Sequence, residues 1–510
     1  MQGMRWLALL AVFAAGCAHL PSQEGRRVTA ALPASEATPL GAAVAPLAAP
    51  HAGETGIHAL PHPRDGFAAR VLLAKAAERS LDTQYYIWHD DETGLLLYEA
   101  LASAARRGVR VRILLDDQNT GGEDELIAAI ASQPNIEMRL YNPFAQRNGR
   151  ALGYFGDFSR LNRRMHNKAF IADGVVAIVG GRNIGNEYFG AGDEVPFLDL
   201  DVLAIGASVP EVSVQFDLYW NSASAYPAER IVGGSSPEGA AELARRFAAT
   251  RTDPEATKFL DAVREAPLVQ SLLERRLDFE LDRARLVYDD PAKTLDTTER
   301  QDVLLLSQML AGGRKPHASL DIISPYFVPA ERGSAFLEGL ARSGVRIRVL
   351  TNSFAATDVS VVHSGYAKRR CGLAQAGVQL FELKPSVEIA EKKRGVTTSS
   401  SASLHAKTYA ADGERVFVGS FNFDPRSALL NTEMGLIVES PALAGKIAAL
   451  FDRDVLQNAY EVRHIPGDAC VEWIERTASG EVRHATEPLA GWGKRAWLGF
   501  LTLLPIDWML

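Results

Sequence analysis

One pattern of His, Lys and Asp occurs twice at a fixed offset, and it limits what this chain can fold into more than any other feature. The first copy reads Met165-His166-Asn167-Lys168, then Asp173-Gly174 and Gly180-Gly181-Arg182-Asn183. The second reads Leu404-His405-Ala406-Lys407, then Asp412-Gly413 and Gly419-Ser420-Phe421-Asn422. Each His, Lys, Asp and Asn of the second copy stands 239 positions after its counterpart. Similarity extends upstream: Ser80-Leu81-Asp82 returns as Ser319-Leu320-Asp321, and Gly108-Val109-Arg110-Val111-Arg112 as Gly344-Val345-Arg346-Ile347-Arg348. The repeated unit is therefore a whole domain and not only a motif.

Periodicity gives that domain a class. Residues 67–78 predict a helix, 81–88 a strand, 93–107 a helix with Leu95, Tyr98, Leu101 and Ala104 near helical spacing, and 109–115 a strand alternating Val and Arg. This is a β-α-β unit, for which parallel strands are the natural outcome. The expectation is an α/β fold with tandem domains over 61–235 and 301–460. An Ala-, Leu-, Glu- and Arg-rich helical connector is expected over 236–300.

The flanks read differently. Arg5 precedes an apolar run from Trp6 to Ala15, too short to span a bilayer and laid out as a secretory leader. Ala14-Ala15-Gly16-Cys17 is similar to a bacterial lipobox, so 1–17 is expected to be a signal peptide with lipidation at Cys17. That would place the body in the cell envelope as a membrane-anchored lipoprotein facing the periplasm. Residues 18–60, rich in Ala, Pro, Ser, Thr and Gly, are expected to form a flexible tether. The tail, 461–510, ends in an apolar stretch from Trp497 that contains Pro505 and cannot span a bilayer. It either packs on the body or lies in an interface, with Trp497 and Trp508 at head-group depth. A local excess of Lys and Arg over 366–395 is either a solvated face or a contact for anionic head groups. Only three cysteines are present, so a disulfide framework is excluded. With Cys17 lipidated, Cys371 and Cys470 are expected as two buried free thiols, although an oxidising compartment permits a bond between them. The formal net charge of -8 counts against a general nucleic-acid binder.

The chemistry lies in the paired motif. His and Lys two positions apart on a strand share a face, which puts an imidazole beside an ammonium. Asp-Gly between apolar runs predicts a two-residue hairpin turn. Pairing Ala172 with Val175 then puts Lys168 opposite Val179, His166 opposite Gly181 and, in the second copy, His405 opposite Ser420. A neutral imidazole is a nucleophile or base, while Lys and Asn donate to an anionic oxygen. Two copies supply two imidazoles, one to attack phosphorus and one to move protons between alcohols. Asp199, 33 residues after His166, and Glu433, 28 after His405, are the candidates to fix the histidine tautomers. Asp173 and Asp412, in turns, are read as structural. Lysine beside each histidine makes a metal site a poor fit.

The two motifs identify the chain as resembling the phospholipase D superfamily over about residues 60–460. The resemblance implies two phospholipase D-like domains that form one pseudo-twofold active site, a covalent phosphohistidine intermediate, and no metal or other cofactor. It implies His166 as nucleophile and His405 as acid/base, with the reverse assignment open. Lys168, Lys407, Asn183 and Asn422 would hold the phosphate, and Asp199 and Glu433 would orient the histidines. Asp116-Asp117-Gln118-Asn119-Thr120-Gly121-Gly122, the run from Asp157 to Met165, and Leu504-Pro505-Ile506-Asp507-Trp508 further resemble bacterial cardiolipin synthases of the C type. Those imply phosphatidylethanolamine and phosphatidylglycerol as substrates on a membrane surface, with no nucleic acid partner. Hydrolysis of phospholipids and a nuclease on the same site are the competing enzyme readings.

Overall fold

A computed structural model describes residues 19–192, 195–274, 276–295, 304–311, 315–357, 359–385, 404–467 and 470–504. The first half contains α1 (Pro39–Ala48), β1 (Thr55–Leu60), α2 (Pro63–Ala76), β2 (Ser80–Tyr85), α3 (Glu92–Arg106), β3 (Arg110–Asp116), α4 (Asp124–Ala131), β4 (Ile136–Tyr141), α5 (Arg150–Leu161), β5 (Ala169–Ala172), β6 (Val176–Gly180), β7 (Asp201–Gly206), α6 (Ser208–Trp220) and β8 (Ala225–Pro227). Helices α7 (Pro237–Thr252), α8 (Pro254–Arg264) and α9 (Pro267–Leu273) lead to β9 (Glu280–Asp282). The second half contains β10 (Ala284–Tyr288), β11 (Ser319–Ile323), α10 (Ala330–Arg342), β12 (Arg346–Asn352), α11 (Ser360–Gln375), β13 (Gln379–Leu383), β14 (Thr408–Ala411), β15 (Arg415–Gly419), β16 (Met434–Val438), α12 (Pro441–Leu450), β17 (Ala459–His464), β18 (Val471–Thr477), β19 (Gly480–His484) and α13 (Trp492–Thr502).

The strand orders β8-β4-β3-β2-β5-β6-β7-β1-β9 and β10-β16-β15-β14-β11-β12-β13-β17-β18-β19 match when one is reversed. The parallel strands β2, β3 and β4 correspond to β11, β12 and β13. The repeated phrases explain themselves in this register. Asp82 pairs with Arg112 across β2 and β3, and Asp321 with Arg348 across β11 and β12. Each carboxylate lies 2.6 Å from its guanidinium, and all four side chains are buried. Each arginine also lies over an aromatic ring, Phe216 at 4.8 Å and Phe451 at 4.7 Å. The charges are thus paired in both copies, as buried charges must be.

The motif aspartates close the far end of the same strands. Asp173 accepts from the backbone N–H of Glu78, Arg79 and Ser80 at 3.1, 2.8 and 2.9 Å. Asp412 accepts from those of His317, Ala318 and Ser319 at 2.9, 2.8 and 3.2 Å. Both stand at positive φ, 52° and 58°, in turns that only short polar residues and Gly adopt easily.

Several boundaries differ from those expected. The segment read as a tether is ordered from residue 19. Arg26 donates to the carbonyls of Asn221, Ser222 and Ala225, and β1 pairs antiparallel with β7. Strand β1 is short and contains a Gly, so its apolar signal is weak. Its equivalent is β10, which pairs antiparallel with β16 and lies in the stretch read as helical connector. Among the described residues of the connector, α-helix is confined to α7 to α9. The tail contributes β17, β18 and β19 to the second sheet. Cys17 and residues 397–403 and 505–510 lie outside the described residues.

Cys371 and Cys470, expected as free thiols, are disulfide-bonded across 99 residues, with Cα atoms 5.9 Å apart. Folding brings α11 and the start of β18 together, which no spacing rule reveals. The bond ties the tail strands to the domain body. Reduction, or Cys470→Ser, is expected to lower stability by about 2–4 kcal/mol, read as a lower melting temperature; an unchanged melting temperature would show the link to be dispensable.

Candidate active site

The halves join where the motifs lie. Met165, Val179 and Val202 share one buried cluster with Leu404, Val418 and Met434. Backbone bridges link Met165 to Thr432 and Leu198 to Leu404. The backbone N–H of His166 donates to the carbonyl of Thr432 at 2.9 Å, and that of His405 donates to the carbonyl of Leu198 at 2.8 Å. Each histidine is therefore held by a strand of the other half.

The carboxylates follow the same rule. His166 Nδ1 lies 2.9 Å from Glu433 Oε2, and His405 Nδ1 lies 2.6 Å from Asp199 Oδ2. Both carboxylates are at the histidines as expected, but each serves the histidine of the opposite half. Thr432 and Leu198 immediately precede Glu433 and Asp199, so one short segment fixes both the backbone and the tautomer of its partner histidine.

The hairpin register differs by one residue from the expected count. Ala172 pairs with Val176 and Ala169 with Val179, because Val175 is an extra residue after the Asp-Gly turn; Glu414 plays the same part in the second copy. Gly181 and Ser420 do not leave room opposite their own histidines. A Cβ at Gly181 would lie 2.2 Å from Asp199 Oδ1, and Ser420 Oγ donates to Glu433 Oε2. These small residues make room for the carboxylate of their own half.

Lys168 and Lys407 share the faces of their histidines, and each Nζ donates to the backbone carbonyl of that histidine. Asn183 does not extend its amide towards a phosphate. Its Oδ1 accepts from the Ile87 N–H at 3.2 Å, and its Nδ2 donates to the Tyr188 hydroxyl at 3.0 Å. Tyr188 in turn packs edge-on to the His405 ring at 5.2 Å, so Asn183 supports a wall of the site. Asn422 is buried, and its Oδ1 has no partner among the described residues.

Sequence reasoning missed the aromatic walls. Tyr86 packs edge-on to His166 at 5.0 Å, and Phe197 stacks on His405 at 5.5 Å. Asp116 was part of a recognised run, and the structure gives it work. It pairs with Arg164 at 2.6 Å and accepts from the Met165 N–H at 2.8 Å, which fixes the approach to His166.

Burial dominates the electrostatics. It lowers His405 to about 4, with Lys407 acting in the same direction. His166 falls well below its ordinary value through burial and then through Lys168. Burial also lowers Lys168 strongly, with Glu433 opposing it. It raises Glu433 to about 7, against the pull of Lys168. At Asp199 burial pushes upward, but His405, Lys407 and Arg182 outweigh it and hold the carboxyl well below the usual range. His405 is then a neutral imidazole whose Nδ1–H donates to an anion, which leaves the lone pair on Nε2. Two neutral imidazoles facing one cluster of two lysines suit an anionic phosphate between them. Among the described residues, His363, Glu382 and Glu487 are the one group spaced to hold a metal ion. It lies outside the motif pair, and Arg370 already pairs with both carboxylates at 3.0 and 2.7 Å.

Two α/β domains that exchange carboxylates across a pair of His-x-Lys-x4-Asp motifs define a phospholipase D-like enzyme. Residues 71–220 and 314–455 match the family described as "Cardiolipin synthase, PLD-like domain", and the chain belongs to that family. It is 46% identical over 476 residues to cardiolipin synthase C of Escherichia coli (strain K12), covering 92% of this chain and 99% of that one. It is 26% identical to cardiolipin synthase A of Pseudomonas entomophila (strain L48), over 76% of this chain and 66% of that one. The fold is similar to that of phosphatidylserine synthase from Haemophilus influenzae Rd KW20, with a TM-score of 0.52 at 13% identity over 79% of this chain and 87% of that chain.

Two outcomes test the geometry. Gly181→Ala displaces Asp199 from His405 and is expected to cut turnover by ~10²-fold and to lower the melting temperature, since the displaced carboxylate is buried; activity near the starting level would show that Asp199 needs no such close approach. Glu433, raised from 4.5 to about 7, binds more proton folded than unfolded between those values. Its contribution to stability is present below pH 4.5 and is lost as pH rises through about 7. Glu433→Gln should therefore gain stability relative to the starting protein on going from pH 5 to pH 8 in urea unfolding, and parallel pH profiles would refute this.

Proposed function

We propose that this chain transfers a phosphatidyl group from one phospholipid to another through a phosphohistidine. The crossed histidine–carboxylate pairs carry this reading. A phosphodiester between the two imidazoles meets a nucleophile on one side and a proton donor on the other. Nε2 of one histidine attacks phosphorus and the bond to the head-group alcohol breaks; the second histidine, having taken up a proton at Nε2 as the anionic phosphate binds, gives that proton to the leaving alcohol and returns to the neutral form. The second histidine then takes a proton from the acceptor hydroxyl, whose oxygen attacks phosphorus and releases the first histidine. Lys168 and Lys407 supply positive charge to the non-bridging oxygens.

We assign attack to His166 and proton transfer to His405. Asp199 is strongly ionised and stabilises an imidazolium on His405, as acid/base work requires, while Glu433 is a weaker anion beside His166. By likeness to the cardiolipin synthases, the donor is phosphatidylethanolamine and the acceptor phosphatidylglycerol, giving cardiolipin and ethanolamine. Water in place of the acceptor hydroxyl would give phosphatidic acid, which is the hydrolase reading. A lipid anchor at Cys17 in a periplasm-facing membrane fits the Cys371–Cys470 disulfide, because such bonds persist in oxidising compartments.

The test offers labelled phosphatidylethanolamine with and without phosphatidylglycerol and separates the products. Cardiolipin formed only with both lipids is expected, and His166→Ala and His405→Ala should each abolish it. Phosphatidic acid formed regardless of acceptor would replace transfer by hydrolysis, and cleavage of DNA with no lipid turnover would overturn both.

A further inference from the structure

Helices α5 and α13 each expose apolar side chains, and each packs on the segment that follows one of the two equivalent strands β3 and β12. Helix α5 runs almost directly into the first motif. Its Tyr154 hydroxyl donates to Gln118 Oε1 at 2.7 Å, and Gln118 belongs to the loop that follows β3. The same end of the site carries Tyr86, which packs on His166. Away from these contacts α5 exposes Leu152 and Phe155, the latter 90% exposed, and beyond the bend at Asp157 it exposes Phe158, whose ring lies beside Tyr154. Helix α13 sits on the second half in the same relation to its strands. Asn352, the last residue of β12, donates to the Leu404 carbonyl beside His405. Phe354, two residues further on, packs with Ala490 and Leu498 under α13. The outer face of α13 carries Trp492, Trp497 and Phe500, 81%, 53% and 52% exposed. Lys494 is exposed on the same helix. Between the helices, Leu198, whose carbonyl holds His405, is 55% exposed, and Leu429 is 58% exposed beside Arg426, which donates to Asn162 just after α5.

We infer that α5 and α13 form a two-part docking surface for a phospholipid bilayer, set on either side of the site so that a head group meets the two histidines without the lipid leaving the membrane. The inference rests on the phosphatidyl-transfer reading. Neither helix is long or apolar enough to cross a membrane. Aromatic residues with a lysine suit head-group depth, where an apolar ring and a cation find both of their preferred surroundings. A second protein copy would need no placement beside the site, whereas a buried site acting on a membrane lipid does. The tail helix thus packs through Leu498 and Leu501 and offers its other side to the membrane.

The chain from Ala18 on, which has neither the apolar leader nor an acylated cysteine, is mixed with phosphatidylethanolamine–phosphatidylglycerol vesicles and sedimented. One variant carries Leu152→Ser, Phe155→Ser and Phe158→Ser, and another Trp492→Ser, Trp497→Ser and Phe500→Ser. Each should partition to vesicles about ten-fold or more weakly, with turnover of monomeric short-chain lipids unchanged. Partitioning equal to the starting protein in both variants would overturn the surface. Brominated lipids should quench the tryptophan fluorescence of the protein with these helices intact, and no quenching would overturn it without any variant. If that protein is a dimer without lipid and either variant is a monomer, the face belongs to a second copy and the inference fails. Vesicle binding with no turnover of either lipid form would remove the proposed function and leave the surface standing.

Discussion

The exchange of carboxylates between halves is the interaction on which the rest of this structure depends. Glu433 and Asp199 are buried, and a buried carboxylate without a partner is costly. Each finds its partner in the other half, where His166 and His405 also find their backbone acceptors. Neither half is complete alone. The interface between domains and the reacting centre are one set of contacts, so whatever separates the halves also dismantles the chemistry.

Away from that centre the scaffold is repeated closely. Asp82–Arg112 and Asp321–Arg348 tie adjacent parallel strands, while Asp173 and Asp412 hold the starts of β2 and β11. The motif aspartate lies five residues beyond the motif lysine, roughly 16 Å along an extended strand, and its carboxylate is taken up by backbone N–H groups. It fixes the hairpin that sets where the histidine falls, which is a sufficient reason for it to accompany His and Lys in both copies.

The sequence made the repeat, the α/β class, both histidines and both carboxylates legible, because fixed offsets and period-two alternation survive without coordinates. Contacts that close over long separations were not legible. The crossing of Asp199 to His405 and of Glu433 to His166 depends on how two domains pack, and spacing within each copy suggests the wrong partners. The register of β5 and β6 was lost to a single bulged residue, Val175, which shifts every later pair by one. Strands β1 and β10 were hidden because a short strand carries too few apolar positions to stand out from its Pro- and Gly-rich or helical surroundings. Cys371 and Cys470 illustrate the same limit, since two cysteines far apart in sequence say nothing of their distance.

The scaffold is nearly twofold, but the charges within it are not, and the difference begins with one pair of residues. Gly181 lets the shorter Asp199 lie close against the chain, where Lys407 and Arg182 keep it ionised. At the equivalent place Ser420 donates to the longer Glu433, whose burial is offset less, so that its carboxyl rises to about 7. A phosphate entering the site therefore meets one imidazole backed by a firm anion and another backed by a carboxyl that titrates near neutrality. Two identical half-sites would offer no reason for one histidine to attack while the other carries the proton. The asymmetry lies in the small residue, the carboxylate beside it and the cations around them, with no change in the strands that hold them.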